Sequence, residues 1–385
     1  MSTELEFLLD QLADASRPAR TLNLAPLSDL PRGAAPQLHT AFRVFGAPRR
    51  LELIAAMVEQ AEADIHLNFQ TVFRACLSDA DAQVRRLAIE GLWEDERTSL
   101  IAPLVALLAA DPASEVRAAA ATSLGRFVLM GVLGEIAESQ AAQAEQSLRT
   151  AWGRPGEVNE VRRRALEGLA YLNDAGIYAS VDDAYYDEDE LMRQSAVFAM
   201  GRTADRRWAK YVLAELGSVT AAMRFEAATA AGELGLNAAV RPLIRLLDDP
   251  DGNVREAAVL ALGKIGGAEA KRGLEVCLQS SDARLAEASG EAMEELTFNS
   301  GTLNDTLLEY SPADERAAAD RLSDDEDDTD DEDDEEDFEE DFDDLLGDDY
   351  DDDVDFDFDA DEEEDEDWDD ELDDDEDGDW DEDAE

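Results

Sequence analysis

Residues 249–266 read DPDGNVREAAVLALGKIG, and the same phrase returns as DPASEVRAAAATSLGRF at 111–127 and as DADAQVRRLAIEGLWE at 79–94. Looser copies are NEVRRRALEGLAYL around Arg162, ELMRQSAVFAMGRT around Arg193 and AAMRFEAATAAGELG around Arg224, and in ARLAEASGEAMEEL Ala286 takes the place of the arginine. Aligned on Arg85, Arg117, Arg162, Arg193, Arg224, Arg255 and Ala286, the copies are separated by 32, 45, 31, 31, 31 and 31 residues. Self-similarity at a fixed period of this size marks a stacked repeat architecture.

Three places after the arginine stand Ala88, Ala120, Ala165, Ala196, Ala227, Ala258 and Ser289; seven places after it stand Leu92, Leu124, Leu169, Met200, Ala231, Leu262 and Met293. Together with the aliphatic residue before the arginine, this spacing fits one face of a 3.6-residue helix, with small side chains where helices approach closely. Gly125, Gly201, Gly232 and Gly263 follow the seventh position by one place and permit tight packing or begin to close the helix. Upstream of each copy lies a second apolar-periodic segment, such as Ile101–Leu108 or Ala239–Leu247. Each unit is therefore helix, turn, helix. Neither helix alone can hide its stripe, so the pairs must stack into a continuous core, an all-α solenoid.

The DPxxxVRxxAxxALGxxG form of these units resembles the HEAT-repeat family, in particular its phycobilisome-lyase-type HEAT-like repeat subclass, from about Asp64 to Phe298. The resemblance implies a ladder of turn aspartates and second-helix arginines between repeats. It places Asp81, Asp111 and Asp251 opposite Arg85, Arg117 and Arg255, with Arg162, Arg193 and Arg224 as further rungs lacking a clean Asp-Pro turn. The subclass name points to bilin attachment, whereas the repeat phrase itself encodes stacking and no reaction. HEAT-like enzymes that hydroxylate a modified lysine hold iron with His-Glu pairs on successive helices, and this sequence has no such pair.

The domain organisation follows. Residues 1–63 hold a capped apolar stripe at Leu5–Ala13, a proline-rich connector at Ser16–Pro36, and a degenerate leading pair at Leu38–Phe45 and Arg50–Glu62 that caps the stack. Residues 64–300 form the array of about seven repeats. The long step between Arg117 and Arg162 inserts residues somewhere in 127–160, either as a longer helix whose Phe127, Val128, Leu129, Met130, Val132 and Leu133 extend the core, with WGRPGE as a surface turn, or as a binding loop or bend. A linker at 301–323 leads to an acidic tail.

That tail dominates the composition. The 385 residues carry 96 acidic and 32 basic side chains, a net charge of −64. Residues 324–385 contribute 46 acids and no Lys or Arg, so the first 323 carry 50 acids against the 32 bases. A segment this acidic cannot bury enough apolar surface to offset its ordering entropy and self-repulsion, and is expected to be disordered in isolation. It is not featureless. Phe338, Phe342, Leu345 and Leu346 have the spacing of an inducible amphipathic helix; Val354, Phe356 and Phe358 alternate with Asp; and Trp368, Leu372 and Trp380 offer further anchors. Asp373 to Asp381 mimic part of an EF-hand loop, but its twelfth position is Ala384, so diffuse cation association is expected there rather than a site.

The sequence gives little to catalysis. His39 and His66 stand in no metal-binding pattern, no glycine-rich phosphate cradle occurs, and the lysines are Lys210, Lys264 and Lys271. Cys76 and Cys277 form no cluster and read as small buried hydrophobes. No catalytic residue, metal site or cofactor is assigned. No stretch has the apolar length of a membrane span and the amino terminus lacks a signal-peptide pattern, so a soluble cytoplasmic setting is expected. The sign of the charge speaks against direct binding of nucleic acid.

Partner binding is the better-supported reading. Positions five and nine after the arginine vary among copies and are expected to face solvent on the second helices, bringing Arg126, Tyr171, Phe198 and Arg202 to one surface beside Trp93 and Phe225. Aromatic and arginine side chains are frequent interface anchors. Local basic groups at Arg162–Arg164 and at Arg202, Arg206, Arg207 and Lys210 are either solvated turns and ladder members or a dock for the chain's own tail or another acidic peptide. The expected function is a non-enzymatic scaffold for protein–protein interaction, with its polyanionic tail recruiting or steering basic proteins. The alternatives are an acidic chaperone or nucleic-acid-mimicking decoy for basic proteins, and a phycobilisome-lyase-like enzyme or maturation factor for a cofactor-bearing protein.

Overall fold

The structure, a computed structural model, describes residues 11–14 and 16–309, with side chains described as far as 297 apart from Arg32. The described residues contain helices and turns and no strand. The helices come in pairs: α1 (Ala35–Phe42) with α2 (Ala47–Ala63), α3 (Gln70–Cys76) with α4 (Ala82–Glu90), α5 (Ile101–Ala110) with α6 (Ser114–Val132), and α7 (Glu138–Trp152) with α8 (Asn159–Leu169). Then follow α9 (Ala175–Tyr185) with α10 (Glu190–Arg202), α11 (Ala209–Glu215) with α12 (Ala221–Glu233), α13 (Val240–Leu246) with α14 (Gly252–Ile265), and α15 (Gly267–Cys277) with α16 (Ala283–Glu309). Each second helix packs on the next, in an unbroken row from α2 to α16. The array is an α-solenoid.

The sequence pattern explains both the helices and their stacking. Asp81 and Asp251 cap α4 and α14 by accepting hydrogen bonds from Gln83 and Val84 N–H and from Asn253 and Val254 N–H. The small residues three places after the arginine, Ala88, Ala120, Ala165, Ala196, Ala227, Ala258 and Ser289, are all fully buried. Leu92, Leu124, Leu169, Met200, Ala231 and Leu262 fill the core one turn further on. Between successive second helices the backbones themselves touch. A Cβ placed on Gly125 would meet Gly168 Cα at 2.6 Å, one on Gly201 would meet Ala230 Cα at 2.8 Å, and one on Gly232 would meet Ala261 Cα at 2.8 Å. The first helices contact one another less extensively, so the second helices form the inner, more tightly spaced row.

A ladder of arginines ties the repeats together, in a register that corrects the expected one. Arg85 Nη1 donates to the carbonyls of Asp79 and Ala80 in its own turn, while Nε and Nη2 reach forward to Asp111, both at 2.7 Å. Arg224 does the same with Ser218, Val219 and then Asp249, and Arg255 with Asp249, Pro250 and then Asp282. Arg117 holds the carbonyls of Asp111 and Pro112 and pairs forward with Glu157. The acid rung thus lies six places before the next arginine in Asp79, Asp111 and Asp249. Asp81 and Asp251, expected as rungs, are helix caps, because a residue four places before the arginine sits at the N-cap. Arg50 of α2 begins the ladder by donating to Phe45 O and Asp79 Oδ1.

Two expected rungs pair with no acid. Arg193 binds only the carbonyls of its own turn, Asp187 and Glu188, since Ser218 occupies the position of the forward acid. Arg162 turns back to the Trp152 carbonyl and lies over the Trp152 ring, and the inserted residues between α6 and α8 displace it from the usual turn. The insertion itself is helical: α6 is lengthened and followed by α7. Phe127, Val128 and Met130 join the core as expected, but Val132 and Leu133 are 53% and 61% exposed, because the helix ends there and swings clear of its neighbours. Glu157, within the expected surface turn, is instead the buried rung for Arg117.

Before α1, the proline-rich connector forms three short 3-10 turns at Ala19–Thr21, Ala25–Leu27 and Arg32–Ala34. The helix expected at Leu5–Ala13 lies outside the described residues except for its last turn. At the other end α16 runs to Glu309, and the tail anchors Phe338, Phe342, Leu345, Leu346, Trp368 and Trp380 lie outside the described residues.

Replacing Gly232 with Ala places a methyl against backbone that has no side chain to move. Despite the better helix propensity of alanine, Gly232→Ala is expected to lose about 1–3 kcal/mol in urea unfolding. Arg85→Ala leaves Asp111 buried without its cation and is expected to cost about 3–5 kcal/mol. Arg193→Ala removes only carbonyl contacts and is expected to cost about 1 kcal/mol in the same measurement.

Candidate partner-binding face

Because the inner row is made by second helices, its solvent side is lined by residues that the stacking leaves free to vary. In the middle of the row, Arg202 of α10 lies 5.2 Å from the Phe198 ring centroid and 6.0 Å from that of Tyr171, within reach of both aromatic faces. Its Nη1 is 2.9 Å from Glu233 Oε1, and Lys264 Nζ lies 3.8 Å from the same oxygen. Tyr171 and Phe198 are half-buried and Arg202 is exposed. Arg163 and Arg164 both pair with Glu160 and approach Glu167, so the basic run of α8 is neutralised within its own helix. Arg207 pairs with Asp205 and covers the Tyr178 ring, and Lys210 lies over Tyr211. These cations have intramolecular company.

Beside this cluster stands Glu226 of α12, which makes no hydrogen bond or ion pair among the described residues. Burial pushes its carboxyl up to about 7, with Glu167 and Glu233 adding to the effect and Arg202 and Arg164 opposing it. Its charge therefore changes near neutrality.

Two grooves flank the middle. Toward α16, Phe225, Leu260 and Ala257 line a groove of about 600 Å³ between α12 and α14, with Phe225 36% and Leu260 40% exposed. Toward α2, Trp93 lies in a groove of about 850 Å³ that spans α2, α4, α6 and α8, and its indole is 60% exposed.

Trp93 is held outward by a rigid loop. Asp95, 1% exposed, accepts hydrogen bonds from Arg74 Nε at 2.6 Å and from Arg97 Nε and Nη2, each at 2.7 Å. Burial alone would raise its carboxyl, but the hydrogen bonds from Arg97 and Arg74 outweigh it and hold the group down at about 2. Arg126, expected as a binding residue, clamps the same loop by donating from Nη2 to the Leu92 and Asp95 carbonyls, each at 3.2 Å. Its guanidinium is largely taken up by the protein itself.

Of the six repeat residues singled out in the sequence, the structure brings Tyr171, Phe198 and Arg202 together. It places Trp93 and Phe225 in separate grooves along the same row and turns Arg126 inward. Sequence reasoning missed Glu226, Leu260 and the Asp95 anchor. Leu260 occupies the fifth position after Arg255 and carried a signal, an apolar residue where solvent was expected; the burial of Glu226 and Asp95 depends on neighbouring repeats and left none.

His39 is half-buried with Nδ1 3.0 Å from Ala75 O, and His66 is exposed. Among the described residues no group of three or more His, Cys, Asp or Glu is placed to hold a metal ion, and no helix is long and apolar enough to cross a membrane. Cys76 and Cys277 are free and buried, and burial pushes the Cys76 thiol up to about 12.

The fold and its inner face define an α-solenoid of paired helices. The family model for HEAT repeats matches residues 71–152 and 209–294, and these two stretches are HEAT repeats. Among solved structures it is similar to the complex of CpcE and CpcF of phycocyanin lyase from Nostoc, at 17% identity over 72% of this chain and 99% of that one, with a TM-score of 0.44. It is also similar to human deoxyhypusine hydroxylase in complex with glycerol, at 19% identity over 76% of this chain and 98% of that one, with a TM-score of 0.31. A designed armadillo repeat protein shares 20% identity over 50% of this chain and 98% of its own length, with a TM-score of 0.34. At these identities the likeness is one of fold alone. No curated protein sequence matches the chain.

The raised Glu226 carboxyl has a testable sign. Between its unfolded value of 4.5 and its folded value of about 7, the folded chain holds a proton that the unfolded chain has lost, so its contribution to stability falls as pH rises through that window. Glu226→Gln is therefore expected to raise the urea midpoint at pH 8 and to leave it nearly unchanged at pH 4.5. Carboxyl-carbon NMR of the unsubstituted chain should show the Glu226 signal titrating near pH 7.

Proposed function

We propose that this chain is a non-enzymatic scaffold for protein–protein interaction, in which the inner helical row and the acidic tail together recruit partners with basic surfaces, in the cytoplasm. The observation that carries the reading is the division of labour within each second helix. The buried positions repeat from unit to unit, whereas Trp93, Tyr171, Phe198, Phe225 and Leu260 stand on the open side at points where the framework does not need them. Exposed aromatic and aliphatic groups with charged rims are the usual substance of recognition surfaces. The 46 acids of residues 324–385 supply a long-range attraction for cationic proteins, which raises encounter rates and weakens with salt.

Affinity capture from native extract tests this with the full chain and with a chain ending at residue 323. The scaffold reading expects a shared set of partners in both captures. Partners of the full chain should thin out between ~0.1 M and ~1 M salt, where the screening length contracts from about 10 Å to about 3 Å. Loss of every partner from the shortened chain at both salt concentrations overturns the reading and leaves the polyanion as the recognition element, as a nucleic-acid-mimicking decoy requires.

A further inference from the structure

The groove around Trp93 carries a surplus of negative charge over its free cations, which the Arg202 cluster lacks. Its arginines are engaged: Arg86 with Glu90, Arg126 with the Leu92 and Asp95 carbonyls, and Arg164 with Glu160 and Glu167. Two of its carboxylates, Glu62 of α2 and Glu115 of α6, form no ion pair among the described residues, Glu115 accepting a hydrogen bond from Gln83 Nε2 at 3.3 Å. The Trp93 indole lines the same groove with its face open, and no cation of the described residues is placed over it. The middle cluster is the opposite case, since Arg202 already occupies the aromatic faces and Glu233 is shared by two cations.

Trp93 also stands where the repeat pattern elsewhere has Gly125, Gly201, Gly232 and Gly263, the residues that bring second helices into backbone contact. Here α4 stops at Glu90, and the loop fastened by Asp95 carries the indole out of the seam. A large, flat π-surface in a groove that carries two carboxylates without ion pairs is complementary to a guanidinium, which stacks on indole and is poorly hydrated across its plane.

We infer that the Trp93 groove binds an arginine-bearing extended segment of a basic protein partner, with one guanidinium stacked on the indole and Glu62 and Glu115 as counter-charges along the groove for the segment's cations. This rests on the scaffold reading and names the chemistry that one part of the inner row selects. The groove runs across four second helices, long enough to hold several residues of an extended chain rather than one side chain.

The test separates the groove from the acidic tail in one experiment. Full-length protein labelled with 5-fluorotryptophan gives fluorine NMR signals from five tryptophans, and Trp93→Phe assigns that of Trp93. A short alternating Arg-Gly peptide is titrated in at ~0.15 M salt, where surface charges are screened beyond about 8 Å. The inference expects the Trp93 signal to shift saturably and the midpoint to rise about tenfold in the Glu62→Lys, Glu115→Lys double variant. The Trp152 and Trp208 signals report that the variant keeps its fold. A matching citrulline-Gly peptide should leave the Trp93 signal in place. Movement of the Trp368 and Trp380 signals without Trp93 overturns the groove and leaves recruitment by the tail standing. No movement of any signal overturns both, and an equal response to the citrulline peptide overturns recognition by charge.

Discussion

The closeness of one second helix to the next is the constraint on which the rest of this structure depends. Glycine and alanine meet backbone to backbone along the inner row, and that contact fixes the spacing at which every other element operates. An arginine can close its own turn with one nitrogen and hold the following repeat's carboxylate with the others only while the two helices remain at that separation. The small residues thus set the geometry, and the ladder reads it. Side chains on the solvent side inherit a regular lattice of positions without contributing to it, which is why aromatic, acidic and basic residues can alternate there at little structural cost.

Much of this was legible in the sequence because stacking of like units leaves a period. The arginine register, the buried small residues and the pairing of helices all follow from a 31-residue step. The ladder acids were harder to read, since Asp79 and Asp81, or Asp249 and Asp251, stand two places apart in the same turn. One caps its own helix and the other crosses to the preceding repeat. Asp111 carries the clue, because it lies six places before Arg117, in register with Asp79 and Asp249 and not with Asp81 and Asp251. Arg50 escaped notice because its turn, FGAPRR, has no acid and its distance from Arg85 falls outside the period.

The candidate face shows the limit of that approach. Periodicity locates the open side of a helix, so Tyr171, Phe198 and Trp93 were found, but it says nothing of what a neighbouring repeat brings within reach. Arg126 occupies an outward register yet is drawn to the Leu92 and Asp95 carbonyls just beyond the end of α4. Glu226 looks in the sequence like any surface acid, and only the convergence of α8, α10 and α12 surrounds it with two further carboxylates. Charge along the inner row is consequently uneven, paired off around Arg202 and in acidic surplus in the Trp93 groove.

That neither Arg162 nor Arg193 pairs with an acid has a mechanical consequence. Over most of the stack, twisting one unit against the next must stretch directional bonds between opposite charges. From α8 to α12 that two-pronged rung is absent, and the joints are crossed instead by Asn159 donating to Asp189, Ser195 to Glu167, Tyr185 to Glu215 and by the Arg202–Glu233 pair. These two joints lie midway along the coil and between the two grooves, so the angle of one groove to the other is set by these side-chain contacts and not by the rung that governs the rest of the stack.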